Sequence, residues 1–222
     1  ERLYERLLEF GLGRTTELDF PGEAAGILPV VGKWSGTSLP TIAIGQGVAV
    51  TPLQMVTAFS TIANEGRRPA PTLVLGTRDT MGVFQPSERA PDQKVLKPET
   101  SRQPLAMLER VVESGTGTRG QVPGYRVAGK TGTVRKLSEQ GSYRDDSYQA
   151  LFAGFAPVSK PRFVLVVVID EPGLEQYYGG EVAAPVFAKI MADALRLRGV
   201  PPDAGDRAKQ IVLSRQEADL GA

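Results

Sequence analysis

Three segments of strand character follow one another in the second half of this chain: Tyr125 to Val134, Tyr148 to Ala156 and Arg162 to Ile169. Each is rich in β-branched or aromatic residues, and turn formers lie in the breaks, Gly141-Ser142 and Ser159-Lys160-Pro161. Neighbouring strands can then run antiparallel through short connections, which gives a three-stranded meander. The longest apolar run, Phe163 to Ile169, is far too short to span a bilayer and suits a buried strand.

Helical patterns flank the meander. Leu3, Leu7, Leu8 and Phe10 share one face of a first helix, which Gly11 and Gly13 end near residue 10. Residues 11 to 47 are rich in Gly, Pro and Thr and read as a long ordered connection, with turns at Pro21-Gly22-Glu23 and Gly45-Gln46-Gly47. Thr51-Pro52-Leu53-Gln54 has the form of a capping box and opens a helix that Asn64-Glu65-Gly66 closes. Thr72 to Leu75 reads as a short strand, and residues 76 to 99 as a polar, proline-interrupted surface excursion.

Leu105, Leu108, Val111 and Val112 mark another amphipathic helix that ends at Ser114-Gly115. Val186, Ile190, Met191, Ala194 and Leu195 give a common face to a C-terminal helix running from about Pro185 to Gly199. Helices before and after a mainly antiparallel sheet predict an α+β layered domain over residues 1 to 199. Residues 200 to 222, including Arg207, Lys209 and Arg215, read as a loosely attached tail.

Composition enters through what is missing. The 222 residues contain no histidine and no cysteine, so Ser-His-Asp and Cys-His catalysis, nitrogen- or sulfur-ligated zinc, haem and iron-sulfur centres are all excluded. No metal and no cofactor is expected. With 26 basic and 25 acidic residues intermixed, the net charge is +1 and nothing favours nucleic acid as a partner. The charged, helix-patterned start, Glu1 to Arg6, is no signal peptide; it suggests a domain incomplete at its N-terminus.

Lys130-Thr131-Gly132-Thr133 is the strongest chemical motif. On a strand, Thr131 and Thr133 lie on the same face, from which both hydroxyls can bond one anion while Lys130 adds a positive field. Gly132 leaves the backbone uncovered, so a peptide could lie along the strand edge as an added strand. The backbone N–H of Thr133 is a candidate oxyanion donor. No serine in the chain has a lysine three residues on or an asparagine two residues on. Gly115-x-Gly117-x-x-Gly120 matches a dinucleotide fingerprint but follows a helix instead of a strand, and is read as a loop.

Lys130-Thr131-Gly132 is similar to the third active-site element of the penicillin-recognising serine enzymes. Further segments carry the resemblance. Phe10-Gly11-Leu12-Gly13, Pro21-Gly22-Glu23, Trp34, Gly45-Gln46-Gly47, Thr51 to Gln54, Ala63 to Gly66, Phe152 to Pro157 and Tyr177-Tyr178-Gly179-Gly180 appear in the order and spacing of class B penicillin-binding proteins. The likeness is greatest to their septal, division-specific type and covers about residues 1 to 200.

The resemblance implies a penicillin-binding transpeptidase fold related to serine β-lactamases. It also implies a serine-type D,D-transpeptidase that cross-links peptidoglycan stem peptides at D-Ala-D-Ala and is acylated by β-lactam antibiotics. The serine nucleophile and its lysine base would lie upstream, in the remainder of the same domain, so that this chain is not active alone. Lys130, Thr131, Gly132 and Thr133 match the carboxylate-binding element. Arg135, Tyr143, Tyr177 and Tyr178 match ligand-side positions, and Val134 replaces the family's usual alanine. Division-machinery membrane proteins are the implied partners, and the implied location is the periplasmic face of the bacterial inner membrane, reached through an N-terminal anchor. A β-lactamase or β-lactam sensor domain, and a noncatalytic interaction module on the same fold, are the alternative readings.

Overall fold

The computed structural model describes residues 1–18, 20–137, 143–173 and 175–205. They form two compact units, Glu1–Ser101 and Arg102 onward.

In the first unit, helix α1 (Arg2–Glu9) ends where Gly11 takes a φ of 91°, which a side chain would resist. The stretch expected as a long ordered connection contains, among its described residues, a 3₁₀ turn at Val31–Lys33 and a short helix α2 (Ser38–Ala43). Helix α3 (Pro52–Ala63) starts at the expected capping box. The Thr51 side chain accepts from the Gln54 N–H at 3.1 Å, and the Thr51 N–H donates to Gln54 Oε1 at 2.9 Å. Gln54 is fully buried, and its Nε2 also donates to the Arg14 and Ala25 carbonyls at 2.7 and 2.9 Å. One amide thereby ties the preceding connection to the start of α3.

Two antiparallel ribbons follow: β1 (Arg67–Arg68) with β4 (Gln93–Lys94), and β2 (Gly76–Arg78) with β3 (Phe84–Pro86). The strand expected at Thr72 to Leu75 does not form. Pairing begins at Gly76, and Leu73, Val74 and Leu75 are exposed. An apolar run needs a partner edge and a face to bury before it becomes a strand.

The boundary between the units falls inside helix α4 (Pro98–Ser114). The meander then appears as β5 (Ala128–Leu137), β6 (Tyr143–Ala156) and β7 (Phe163–Asp170) in the order β5-β6-β7, antiparallel throughout. Helix α5 (Gly179–Val182) and helix α6 (Ala184–Leu197) close the unit. Phe187, Met191 and Leu195 of α6 are fully or almost fully buried and join Phe152, Val112 and Val167 in one core. The Phe152 and Phe187 rings lie 4.7 Å apart. Val186 and Ile190, expected on the inner face, are exposed at 39% and 47%. The stripe 187-191-195 faces inward instead, because the Phe187 ring meets Phe152.

Phe152 also explains the glycine pattern after α4. A Cβ on Gly120 would stand 2.7 Å from its ring, and one on Gly117 3.1 Å from it. The pattern is a packing cradle for an aromatic side chain.

The tail expected to hang loosely from residue 200 is fastened at its start. Tyr125 Oη donates to the Val200 carbonyl at 2.6 Å, and the Ala204 N–H donates to the Gly124 carbonyl at 3.1 Å. Buried Asp203 accepts from the backbone N–H groups of Arg126 and Ser159 at 2.7 and 3.0 Å. Buried N–H groups demand an acceptor, and the Asp203 carboxylate supplies two. Arg207, Lys209 and Arg215 lie outside the described residues. Among the described residues no helix is long and apolar enough to cross a membrane.

Candidate functional site

Lys130, Thr131, Gly132 and Thr133 sit on β5, opposite Ala153, Phe152, Leu151 and Ala150 of β6. β5 is the edge of the three-stranded sheet, and among the described residues no strand pairs with its outer edge. An unpaired edge presents backbone donors and acceptors to an extended peptide. Gly132 also makes room within the sheet. A Cβ there would stand 2.8 Å from Leu151 Cγ, so its bare backbone admits the side chain opposite.

The alternation expected of a strand brings Thr131 and Thr133 to one face, toward the start of α5 and the loop after α4. Thr133 Oγ1 accepts the Gly179 N–H at 3.0 Å. Thr131 Oγ1 lies 2.9 Å from Thr116 Oγ1. Lys130 Nζ donates to the Thr131 carbonyl at 2.9 Å and approaches Thr131 Oγ1 at 3.4 Å. Two glycines allow this crowding. A Cβ on Gly179 would fall 2.4 Å from the Gly132 carbonyl oxygen, and one on Gly180 2.3 Å from that of Thr116. Thr116 is absent from the candidates taken from the sequence. It lies 15 residues from its partner, in the loop that the glycine pattern marks only as a turn.

Farther along β5, Arg135 pairs in register with Tyr148. The Tyr148 and Tyr177 rings stack at 4.2 Å, and the Tyr177 and Tyr178 rings approach at 4.5 Å. Tyr177 Oη donates to Tyr178 Oη at 3.4 Å, and this bond pushes the Tyr177 phenol above its usual range, with the Arg135 charge acting the other way. Of the expected tyrosines, 177 and 178 thus form one aromatic group with Tyr148, which the sequence alone does not single out. The Tyr143 side chain lies outside the described residues, although its backbone opens β6 opposite Leu137. Val134 is 39% exposed opposite Gln149, so its branched side chain lies at the surface of the sheet.

Beyond the aromatic group, Lys136 Nζ bridges Asp170 and Glu171 at 3.0 and 2.9 Å. Ser147 Oγ donates to Glu171 Oε1 at 3.0 Å. Hydrogen bonding to these carboxylates raises the Lys136 ammonium above its ordinary range, and the ammonium holds both carboxyls below theirs. Among the described residues no group of His, Cys, Asp and Glu side chains is placed to hold a metal ion.

The penicillin binding protein transpeptidase domain model matches residues 1–192. Penicillin-binding protein PbpB of Mycolicibacterium smegmatis is 39% identical over 92% of this chain and 33% of its own length. Peptidoglycan D,D-transpeptidase FtsI of Escherichia coli is 37% identical over 99% of this chain and 36% of its own. The crystal structure of penicillin-binding protein 3 from Mycobacterium tuberculosis complexed with ampicillin is 34% identical with a TM-score of 0.82, covering 91% of this chain and 47% of that one. The chain therefore spans about a third of the length of the curated relatives it matches.

Proposed function

The chain belongs to the penicillin-binding protein transpeptidase domain family, and we propose that it supplies the substrate-holding strand of a peptidoglycan D,D-transpeptidase of cell division. The single observation that carries this reading is the pair of hydroxyls, Thr131 and Thr133, fixed on one face of an open-edged strand beside Lys130. A stem peptide ending in D-Ala-D-Ala would add to the outer edge of β5. Its terminal carboxylate would accept from Thr131 and Thr133 within the field of Lys130, and the carboxylate of a β-lactam would take the same place.

The Thr133 backbone N–H serves as one oxyanion donor in this reading. Arg135, Tyr177 and Tyr178 form the wall beside the ligand. The attacking serine and its lysine base come from the remainder of the domain, because no serine here has a lysine three residues on. The serine oxygen would bond to the carbonyl carbon and pass its proton to the base; the terminal D-Ala would leave with that proton, and a second peptide's amine would then displace the serine. The likeness to a protein named FtsI supports a division role at the periplasmic face of the inner membrane, with membrane proteins of the division machinery as partners.

Labelling with a fluorescent penicillin tests the proposal. The longest native polypeptide containing this chain should acquire covalent label, and the isolated 222 residues should not. Hydrogen bonds to charged groups contribute about 1.5–3 kcal/mol, so Lys130→Ala should slow labelling roughly 10- to 100-fold. Labelling of the isolated chain would overturn the assignment of the nucleophile, and rapid hydrolytic turnover of penicillin by the longer protein would mark a β-lactamase.

A further inference from the structure

The loop after α4 is packed so that one hydroxyl reaches the site. Gly117 and Gly120 close it over Phe152, and the Thr116 carbonyl sits against Gly180. What emerges is the Thr116 side chain, 2.9 Å from Thr131 Oγ1. A hydroxyl carries one proton and two acceptor lone pairs, so the polarity of this contact decides what Thr131 can offer a ligand.

At Thr133 the polarity is already set. The Gly179 N–H can only donate, so it occupies a lone pair of Thr133 Oγ1 and leaves that hydroxyl's proton for a ligand. At Thr131 the Lys130 ammonium, 3.4 Å away, can likewise only donate. Thr116 is the one group of this set that can either give or take a proton. If Thr131 donates to Thr116, its proton is turned away from the ligand. If Thr116 donates, the Thr131 oxygen receives two donors and its only proton is left to point outward.

We propose that Thr116 is a positioning residue for carboxylate binding: it donates its hydroxyl proton to Thr131 when an anion occupies the site, so that Thr131 and Thr133 both donate to that anion. This deepens, and rests on, the reading of β5 as the carboxylate-holding strand. Thr116 acts through Thr131, and no covalent bond changes in the exchange.

The test uses the longest native polypeptide containing this chain. The second-order acylation rate constant is measured with benzylpenicillin, which carries a free carboxylate, and with its methyl ester, which does not. Loss of one charge-assisted hydrogen bond predicts that Thr116→Val slows acylation by the free acid roughly tenfold and by the ester less than about twofold. Thr116→Ser, which keeps the hydroxyl, should restore most of the acid rate. Thr116→Ala is measured in the same way and cannot overfill the loop, so either variant decides the matter.

An unchanged rate with the free acid, or an equal loss on acid and ester, would overturn the positioning role while leaving the carboxylate-strand reading in place. If the parent protein is not acylated by penicillin at all, that reading falls and the role of Thr116 falls with it.

Discussion

The two compact units are held together by different physics. The second has a continuous apolar core in which Phe152, Phe187 and Leu195 are wholly enclosed. The first has Ile42 and Val95 as its buried hydrophobic residues among those described, beside buried Gln54, Thr57 and Thr61. Its exposed surface includes Leu73, Val74, Leu75, Met81 and Phe84. Apolar burial fixes the second unit, whereas the first depends more on polar groups finding their partners. The candidate site lies on the sheet of the second unit, where a rigid core can hold the Thr131 and Thr133 hydroxyls in place.

That contrast can be broken by mutation. Phe152→Ala should have the largest effect, about 3–5 kcal/mol, because the ring is enclosed and its glycine cradle has no side chains with which to fill the cavity. Denaturant unfolding of the intact protein, with hydrogen exchange in β5 to β7, would measure it. A loss below about 1 kcal/mol would mean that the core is not what holds the sheet.

Gln54→Ala should come next. It leaves the Arg14 and Ala25 carbonyls and the Thr51 N–H without the side-chain partner they have now, at a cost of about 1–3 kcal/mol. Increased hydrogen exchange should be confined to residues 1 to 101 of the first unit. Equal loosening of both units would contradict the distinction.

The smallest effect is expected at Lys136. Asp170 and Glu171 are held below their ordinary values of 3.8 and 4.5, so their contribution is present above that range and is lost as pH falls through the lowered values. Lys136 is raised above 10.5, and its contribution is lost only as pH rises beyond that. All three groups are exposed to solvent, so stability itself should barely move between these limits. Lys136→Met should bring the carboxyl titrations of Asp170 and Glu171 back toward ordinary values by NMR. Unmoved titrations would show that the bridge does not persist in solution.

Much of this was legible in the chain. Strand-forming residues set between turn formers predicted the three strands, strand alternation predicted the shared face of Thr131 and Thr133, and the capping box at Thr51 placed the start of α3. The errors have a common origin. Thr72 to Leu75 looks like a strand but has a ladder partner only at its end, where the Leu75 carbonyl accepts the Ser87 N–H; Val186 and Ile190 follow the helical period, yet Phe187 is the residue that meets Phe152; and residues 200 to 204 are held by polar bonds that leave no apolar pattern, the Ala204 N–H to the Gly124 carbonyl and the Arg126 and Ser159 N–H groups to the Asp203 carboxylate.

Period and local chemistry travel with the sequence, so the chain by itself determined the strands, the caps and the family likeness around Lys130. Contacts between distant residues depend on how the elements pack. Only the tertiary structure decided that Tyr148 stacks on Tyr177, that Asp203 fastens the C-terminal segment, and that the Thr116 hydroxyl comes to rest against Thr131. In each case the partners are far apart along the chain, and the geometry that joins them exists only once the sheet and its core have formed.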